Sequence, residues 1–132
     1  MIGRMGALAL IAIVLLGTLG CGTKITITEP ADGSEQRQKV IVKGTVSNPK
    51  AKIYLFVKAL PDGQYRLQSS IWVRKEWDGT AFLGATYEPP GGEYEIFAIV
   101  SKKGLDIAQG PIEALPEKYD AKSNVVRVTR IE

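Results

Sequence analysis

Histidine is absent from this chain of 132 residues, and cysteine occurs once, at position 21. Without His there is no Ser-His-Asp triad, no imidazole metal ligand and no titration switch near neutral pH. One Cys permits neither an internal disulfide nor a thiolate zinc cage. Excess charge is scarce too: 17 Lys and Arg face 14 Asp and Glu, a formal net charge of +3. Nucleic-acid binding would call for a concentrated basic face. The Arg37, Lys39 and Lys43 group and the Lys102-Lys103 pair read more simply as solvated strand and loop positions. A phosphate-cradling loop is missing, because Gly91-Gly92 follows two prolines and leads into a strand pattern, not a helix. No calcium-loop spacing occurs either: Asp32, Asp62 and Asp78 each precede a Gly, as turn residues do. These absences point away from an enzyme, a metal site and a cofactor.

What is present begins with a leader. Arg4 precedes an unbroken apolar run from Ala7 to Leu16, and small residues follow it. The run is shorter than the roughly 20 residues a membrane-spanning helix needs. It has the length of a secretory signal and ends just before Cys21. The segment Gly17-Thr18-Leu19-Gly20-Cys21 resembles the lipobox of prokaryotic lipoproteins, although Thr18 stands where that family usually has Leu. The resemblance implies cleavage of residues 1–20 and attachment of a diacylglycerol to the Cys21 sulfur. Acyl chains partition into membrane at about 0.8 kcal/mol per buried CH₂, and two or three together anchor stably. Residues 21–23 then form the tether. Gly22 and Thr23 span only about 10 Å, so the folded part is expected against the lipid surface. The implied location is the outer face of the cell membrane, or the outer membrane.

From Lys24 to Glu132 the dominant period is two. Ile25 and Ile27 alternate with Thr26 and Thr28; Val40, Val42 and Val46 alternate with Lys39, Lys43 and Thr45. Turn chemistry recurs at Pro30-Ala31-Asp32-Gly33, Leu60-Pro61-Asp62-Gly63, Trp77-Asp78-Gly79-Thr80 and Pro89-Pro90-Gly91-Gly92. No helical stripe competes with it. The spacing predicts an all-β immunoglobulin-like β-sandwich of seven to eight strands over residues 24–132. The runs Ile25–Ser34 and Val40–Val46 resemble the first two strands of bacterial Ig-like surface domains. Gly92–Val100 is similar to the penultimate strand of Ig and fibronectin type III modules, which would make Tyr94 the residue that ties down a corner. The Cys–Trp–Cys core of antibody domains is absent, so the likeness is to the disulfide-free branch.

If Ile53, Leu55 and Val57 point inward with Tyr94, Ile96 and Ala98, then Tyr54, Phe56, Phe97 and Ile99 gather on the outer face. Such an apolar patch is a candidate binding surface unless something covers it. The connection between Ser101 and Asn124 is far longer than the usual hairpin loop of about 2–5 residues. It carries Leu105, Ile107, Ile112, Leu115 and Tyr119, and residues 104–122 are expected to fold over the patch as a long ordered loop. Trp72 lies between Ile71 and Val73, where parity does not decide its face; Trp77, next to Asp78-Gly79, is expected to show an edge to solvent. The expected function is that of a membrane-anchored cell-envelope lipoprotein with a non-catalytic interaction module for a protein or cell-wall partner. Two other readings stand beside it. One is a carbohydrate-binding accessory domain that uses Trp77; the other is an inhibitor that plugs secreted proteases with its loops.

Overall fold

The computed structural model describes residues 23–47, 52–72, 75–107 and 110–132 of the chain, and of Ser69, Ser70 and Trp72 only the backbone. The leader, Cys21 and Gly22 lie outside them, so the cleavage and acylation expectations are untouched. Nine strands are found among the described residues: β1 (Ile25–Glu29), β2 (Ser34–Gln36), β3 (Lys39–Val46), β4 (Lys52–Ala59), β5 (Tyr65–Trp72), β6 (Glu76–Phe82), β7 (Glu93–Ser101), β8 (Ala121–Lys122) and β9 (Val126–Arg130). They form two sheets. One has the order β1-β3-β6; the other has the order β2-β9-β7-β4-β5, with β8 added beside β7. The protein is an all-β sandwich, as expected, with one or two more strands than anticipated. The extra ones are short: β2 pairs in parallel with β9 through Val128 opposite Ser34, and β8 is a two-residue ladder on β7.

Strand β3 shows the cause of the fold most plainly. Val40, Val42, Gly44 and Val46 face inward and Lys39, Ile41, Lys43 and Thr45 outward, so the chemical alternation matches the pleat. Strands β4 and β7 are apolar on both faces. From β4, Ile53, Leu55 and Val57 enter the main core while Tyr54 and Phe56 point the other way; from β7, Phe97 and Ile99 do the same. Register makes them neighbours, with Tyr54 opposite Ile99 and Phe56 opposite Phe97. Among the described residues, the buried members of both cores lie between Ile25 and Val128.

One expected turn is not there. Trp77, Asp78, Gly79 and Thr80 lie within β6, where Asp78 pairs with Lys43 and Gly79 with Val42. Pairing along the whole of β3 overrides local turn preference, as tertiary context often does for strands.

Candidate functional site

Tyr54, Phe56, Phe97 and Ile99 do gather on one outer face, but they are not a free surface. Phe56 is 0% exposed and Phe97 1%. Leu105, Ile107, Ile112, Leu115 and Tyr119 pack over them and make a second core. This corrects their assignment as a candidate binding surface: the four side chains and the apolar side chains of the connection leave water together, and the connection's hydrogen bonds are added to that burial. The cover is pinned along its length. Leu105 N–H donates to Tyr54 Oη at 2.7 Å, Tyr65 and Ile112 exchange both backbone hydrogen bonds at 2.8 and 2.9 Å, and Lys102 N–H donates to the Asp120 carboxylate at 2.6 Å.

Trp77 requires a second correction. Its indole is 4% exposed and belongs to the main core, with Nε1 buried and unpartnered. It faces inward because Gly44, directly opposite on β3, has no side chain to occupy that space. A Cβ at Gly44 would sit 2.5 Å from the Trp77 ring and 2.1 Å from the Thr26 carbonyl oxygen. No edge of this ring is available to stack on a sugar. The side chain of Trp72 lies outside the described ones.

A different concavity has the marks of a binding site. The sandwich has two seams between its sheets. At one, the Asn124 side-chain amide accepts from Ile27 N–H at 2.8 Å and donates to the Ile27 carbonyl at 3.2 Å, stitching β1 to the chain just before β9. At the other seam, between β5 and β6, the main direct bond is Phe82 N–H to Gln68 Oε1 at 2.7 Å. There a cavity of about 470 Å³ opens. Val57, Ala59 and Tyr94 supply its apolar side, Arg66, Gln68 and Asp62 its polar side, and Phe82, Tyr87 and Glu88 its mouth. Phe82 is 45% exposed and Tyr87 89%, two large aromatic side chains left in water around one opening.

Arg66 and Gln68 are on this face because Tyr65 and Leu67 are drawn to the cover, which leaves the other parity of β5 to the seam. Arg66 pairs with Asp62 at 3.0 Å, and Gln64 N–H donates to the same carboxylate at 2.9 Å. Those bonds, the arginine's first, hold the Asp62 carboxyl below its ordinary range. A carboxylate so paired is a poor proton acceptor but a fixed polar landmark. The mouth is shaped by the β6–β7 connection. Its Glu88 carboxylate accepts Ala85 N–H at 2.5 Å, and Gly84, at φ +79°, leaves room for Tyr94 Oη, which a Cβ would approach to 2.7 Å.

Tyr94, the candidate for tying down a corner, lies beside this mouth. No hydrogen bond of its hydroxyl is found among the described residues. The tie is Arg130, only 3% exposed, whose guanidinium donates to the carbonyls of Leu83 at 3.0 Å and Ala85 at 2.9 Å and to the Glu132 backbone oxygen. Sequence reasoning missed the pocket because its lining comes from β4, β5, β6, β7 and two loops. The one local signal was Tyr87, an aromatic residue set beside Pro89-Pro90 in an otherwise polar turn.

Among the described residues no group of three or more Cys, Asp and Glu could hold a metal ion. No protein-family model matches the chain, and no curated protein matches it.

Proposed function

We propose that the protein is an exported lipoprotein, held to the membrane by acyl chains on Cys21, whose sandwich is a non-catalytic interaction module that engages its partner at the β5–β6 seam. The leader and Cys21 support the anchor. The pair of exposed rings, Phe82 and Tyr87, over the apolar floor of Val57 and Ala59 carries the binding reading. An extended peptide fits this chemistry best. β5 and β6 are edge strands with backbone to offer, and the pocket can take one apolar side chain while Arg66, Gln68 and Glu88 read its neighbours.

The site lies far from the tether. β6 begins beside Lys24 and Ser47 and runs seven residues, roughly 20 Å, to Phe82 at the mouth. A partner would therefore be met on the side facing away from the lipid. The test is selection of displayed random peptides, with wall polysaccharides run in parallel. Peptides with one apolar or aromatic anchor should bind the native protein and lose at least about tenfold in affinity on Tyr87→Ala with Phe82→Ala, the scale of an aromatic hot spot. Binding that ignores both rings refutes the site. Selective binding of a polysaccharide instead of a peptide would assign the rings to sugar stacking. Labelled fatty acid appearing on the wild-type chain and not on Cys21→Ser tests the anchor.

A further inference from the structure

The two ends of the sandwich differ in charge. At the end where the chain enters, β1 starts, β3 stops, β6 starts, β4 starts and β7 stops. Lys24 and Lys75 sit together there: Ser47 N–H donates to the Lys24 carbonyl at 2.8 Å and Val46 N–H to the Lys75 carbonyl at 3.0 Å. Across the sandwich, Lys52 pairs in register with Ser101, immediately before Lys102 and Lys103. Each sheet thus has a lysine-rimmed hollow at this end. One, of about 340 Å³, is lined by Lys24, Lys75 and Glu76; the other, of about 550 Å³, by Lys52, Lys102, Lys103 and Asp106. Lys24, Lys75, Lys102 and Lys103 are exposed, and none of the ion pairs found among the described residues involves them. Glu76, Asp106 and Asp120 are the carboxylates at these hollows, Asp120 is engaged by the Lys102 backbone, and Glu29 and Asp78 line a further hollow beside Lys75 that Lys43 shares. At the opposite end Asp32, Asp62, Glu88 and Glu132 are matched by Arg37, Lys39 and Arg66, and Arg37 and Arg66 are paired with Glu132 and Asp62, so no such excess of one sign gathers there.

We propose that the lysine end is a docking face for anionic lipid headgroups, which holds the sandwich upright on the membrane with its aromatic pocket outward. The proposal rests on the Cys21 anchor for its geometry. A tether of Gly22 and Thr23 leaves these lysines within about 10 Å of the lipid, close to the Debye length of about 8 Å at physiological salt. They lie inside the decaying potential of an anionic surface. The loops of the opposite end, a strand length further off, lie more than two screening lengths outside it. A domain on so short a tether could also lie on its side, against the outer face of either sheet. The charge distribution selects the end-on posture, because tipping over withdraws the clustered lysines from the lipid.

The experiment uses the mature-length chain carrying Cys21→Ser, which retains every core residue found among the described ones. Its co-sedimentation is measured with vesicles of phosphatidylcholine alone and with phosphatidylglycerol-rich vesicles. Binding should appear on the anionic vesicles and vanish in 1 M salt, where the screening length is about 3 Å. Each lysine near an anionic surface contributes up to about fivefold, so Lys102→Gln with Lys103→Gln should weaken binding by about tenfold or more. Arg37→Gln with Lys39→Gln at the far end removes the same charge and should change little. Circular dichroism checks that each variant keeps its strands. Equal sedimentation on neutral and anionic vesicles overturns the proposal, and so does an equal loss from the far-end pair. Binding to soluble polyphosphate as tight as to the vesicles reassigns the face to a soluble polyanion and overturns it too. Failure of acylation is read separately. No fatty acid on Cys21 with lipid-charge dependence intact removes the anchor and supports the docking face; acylation without that dependence does the reverse.

Discussion

Phe97→Ala tests whether the β7–β9 connection is part of the folded core or a strap laid over it. The Phe97 ring stacks on Phe56 with centroids 5.6 Å apart and meets Tyr65 edge-on at 5.8 Å. Lys122 Nζ lies 4.7 Å from its centroid. Truncating a buried Phe costs about 3–5 kcal/mol through lost transfer and the cavity left behind. Aromatic pairs add about 0.5–1.5 kcal/mol each, and an exposed cation–π contact about 0.5–1 kcal/mol. The expected loss is therefore at the upper end of that range, about 4–5 kcal/mol, out of a total that for a domain of this size is about 5–15 kcal/mol. In urea, with a slope of about 2 kcal/mol/M, the midpoint should fall by roughly 2 M and the slope should stay unchanged. The same transition should be seen by far-ultraviolet circular dichroism and by tyrosine and tryptophan fluorescence. A loss below about 1 kcal/mol, or a separate early transition confined to the cover, would refute the reasoning, since either means that residues 104–122 are not cooperative with the sheets.

Other consequences can be checked with the same melts. Gly44→Ala places a Cβ 2.1 Å from the Thr26 backbone oxygen and 2.5 Å from the Trp77 ring; it should destabilise by about 3 kcal/mol or more, beyond the usual overpacking penalty, whereas a neutral result would mean that Trp77 does not lie over that strand. Arg130→Met leaves the Leu83 and Ala85 carbonyls without their donor and should cost about 2–4 kcal/mol, with faster proteolysis of the Tyr87 loop; unchanged stability would remove Arg130 as the corner tie. Phe82→Ala and Tyr87→Ala, at exposed positions, should each stay within about 0.5 kcal/mol of the native protein, so that any lost binding cannot be blamed on unfolding. The Asp62 carboxyl is held low by Arg66 and Gln64, so its contribution is present above the ordinary value of about 3.9 and disappears as pH falls through the lowered folded one. The group is half exposed, and screening limits the effect to under about 1 kcal/mol; Asp62→Asn should therefore matter little at pH 7 and progressively less as pH falls through the lowered value.

The sequence made some of these features legible and concealed others, for identifiable reasons. Alternation in β3 and the doubled apolarity of β4 and β7 are local signals, and they announced both the sheets and the need for a cover over Tyr54, Phe56, Phe97 and Ile99. Complementarity between distant residues is not local. Trp77-Asp78-Gly79-Thr80 carries turn residues, yet it forms strand because Gly44 on β3 makes room for the indole, and neither segment alone reveals the other. The parallel pairing of Ser34–Gln36 with β9 joins opposite ends of the chain and leaves no trace in either. The pocket is hidden more deeply. Arg66 and Gln68 look like the solvent face of an ordinary strand; they line a cavity because β5 turns its apolar side to the cover and its polar side to the seam.

The same division of labour explains where the sandwich departs from the simplest rules of packing. Arg130 is a buried cation that no carboxylate side chain among the described residues neutralises, an expensive way to hold a corner for which a tyrosine hydroxyl would serve. Two of its donated bonds go to the Leu83 and Ala85 carbonyls, where the loop that carries Tyr87 and Glu88 begins, and the third to the Glu132 backbone oxygen. A planar guanidinium can span several carbonyls at once, which a single hydroxyl cannot. That property matters only if the loop must keep one shape against solvent. A loop with no task beyond joining β6 to β7 could be shortened to a few polar residues. This one keeps a large aromatic side chain in water, and the protein fixes it from beneath with a buried charge. Departures from local rules gather where a site demands them, and here they gather under the pocket, at the end of the sandwich opposite Lys24 and Lys75.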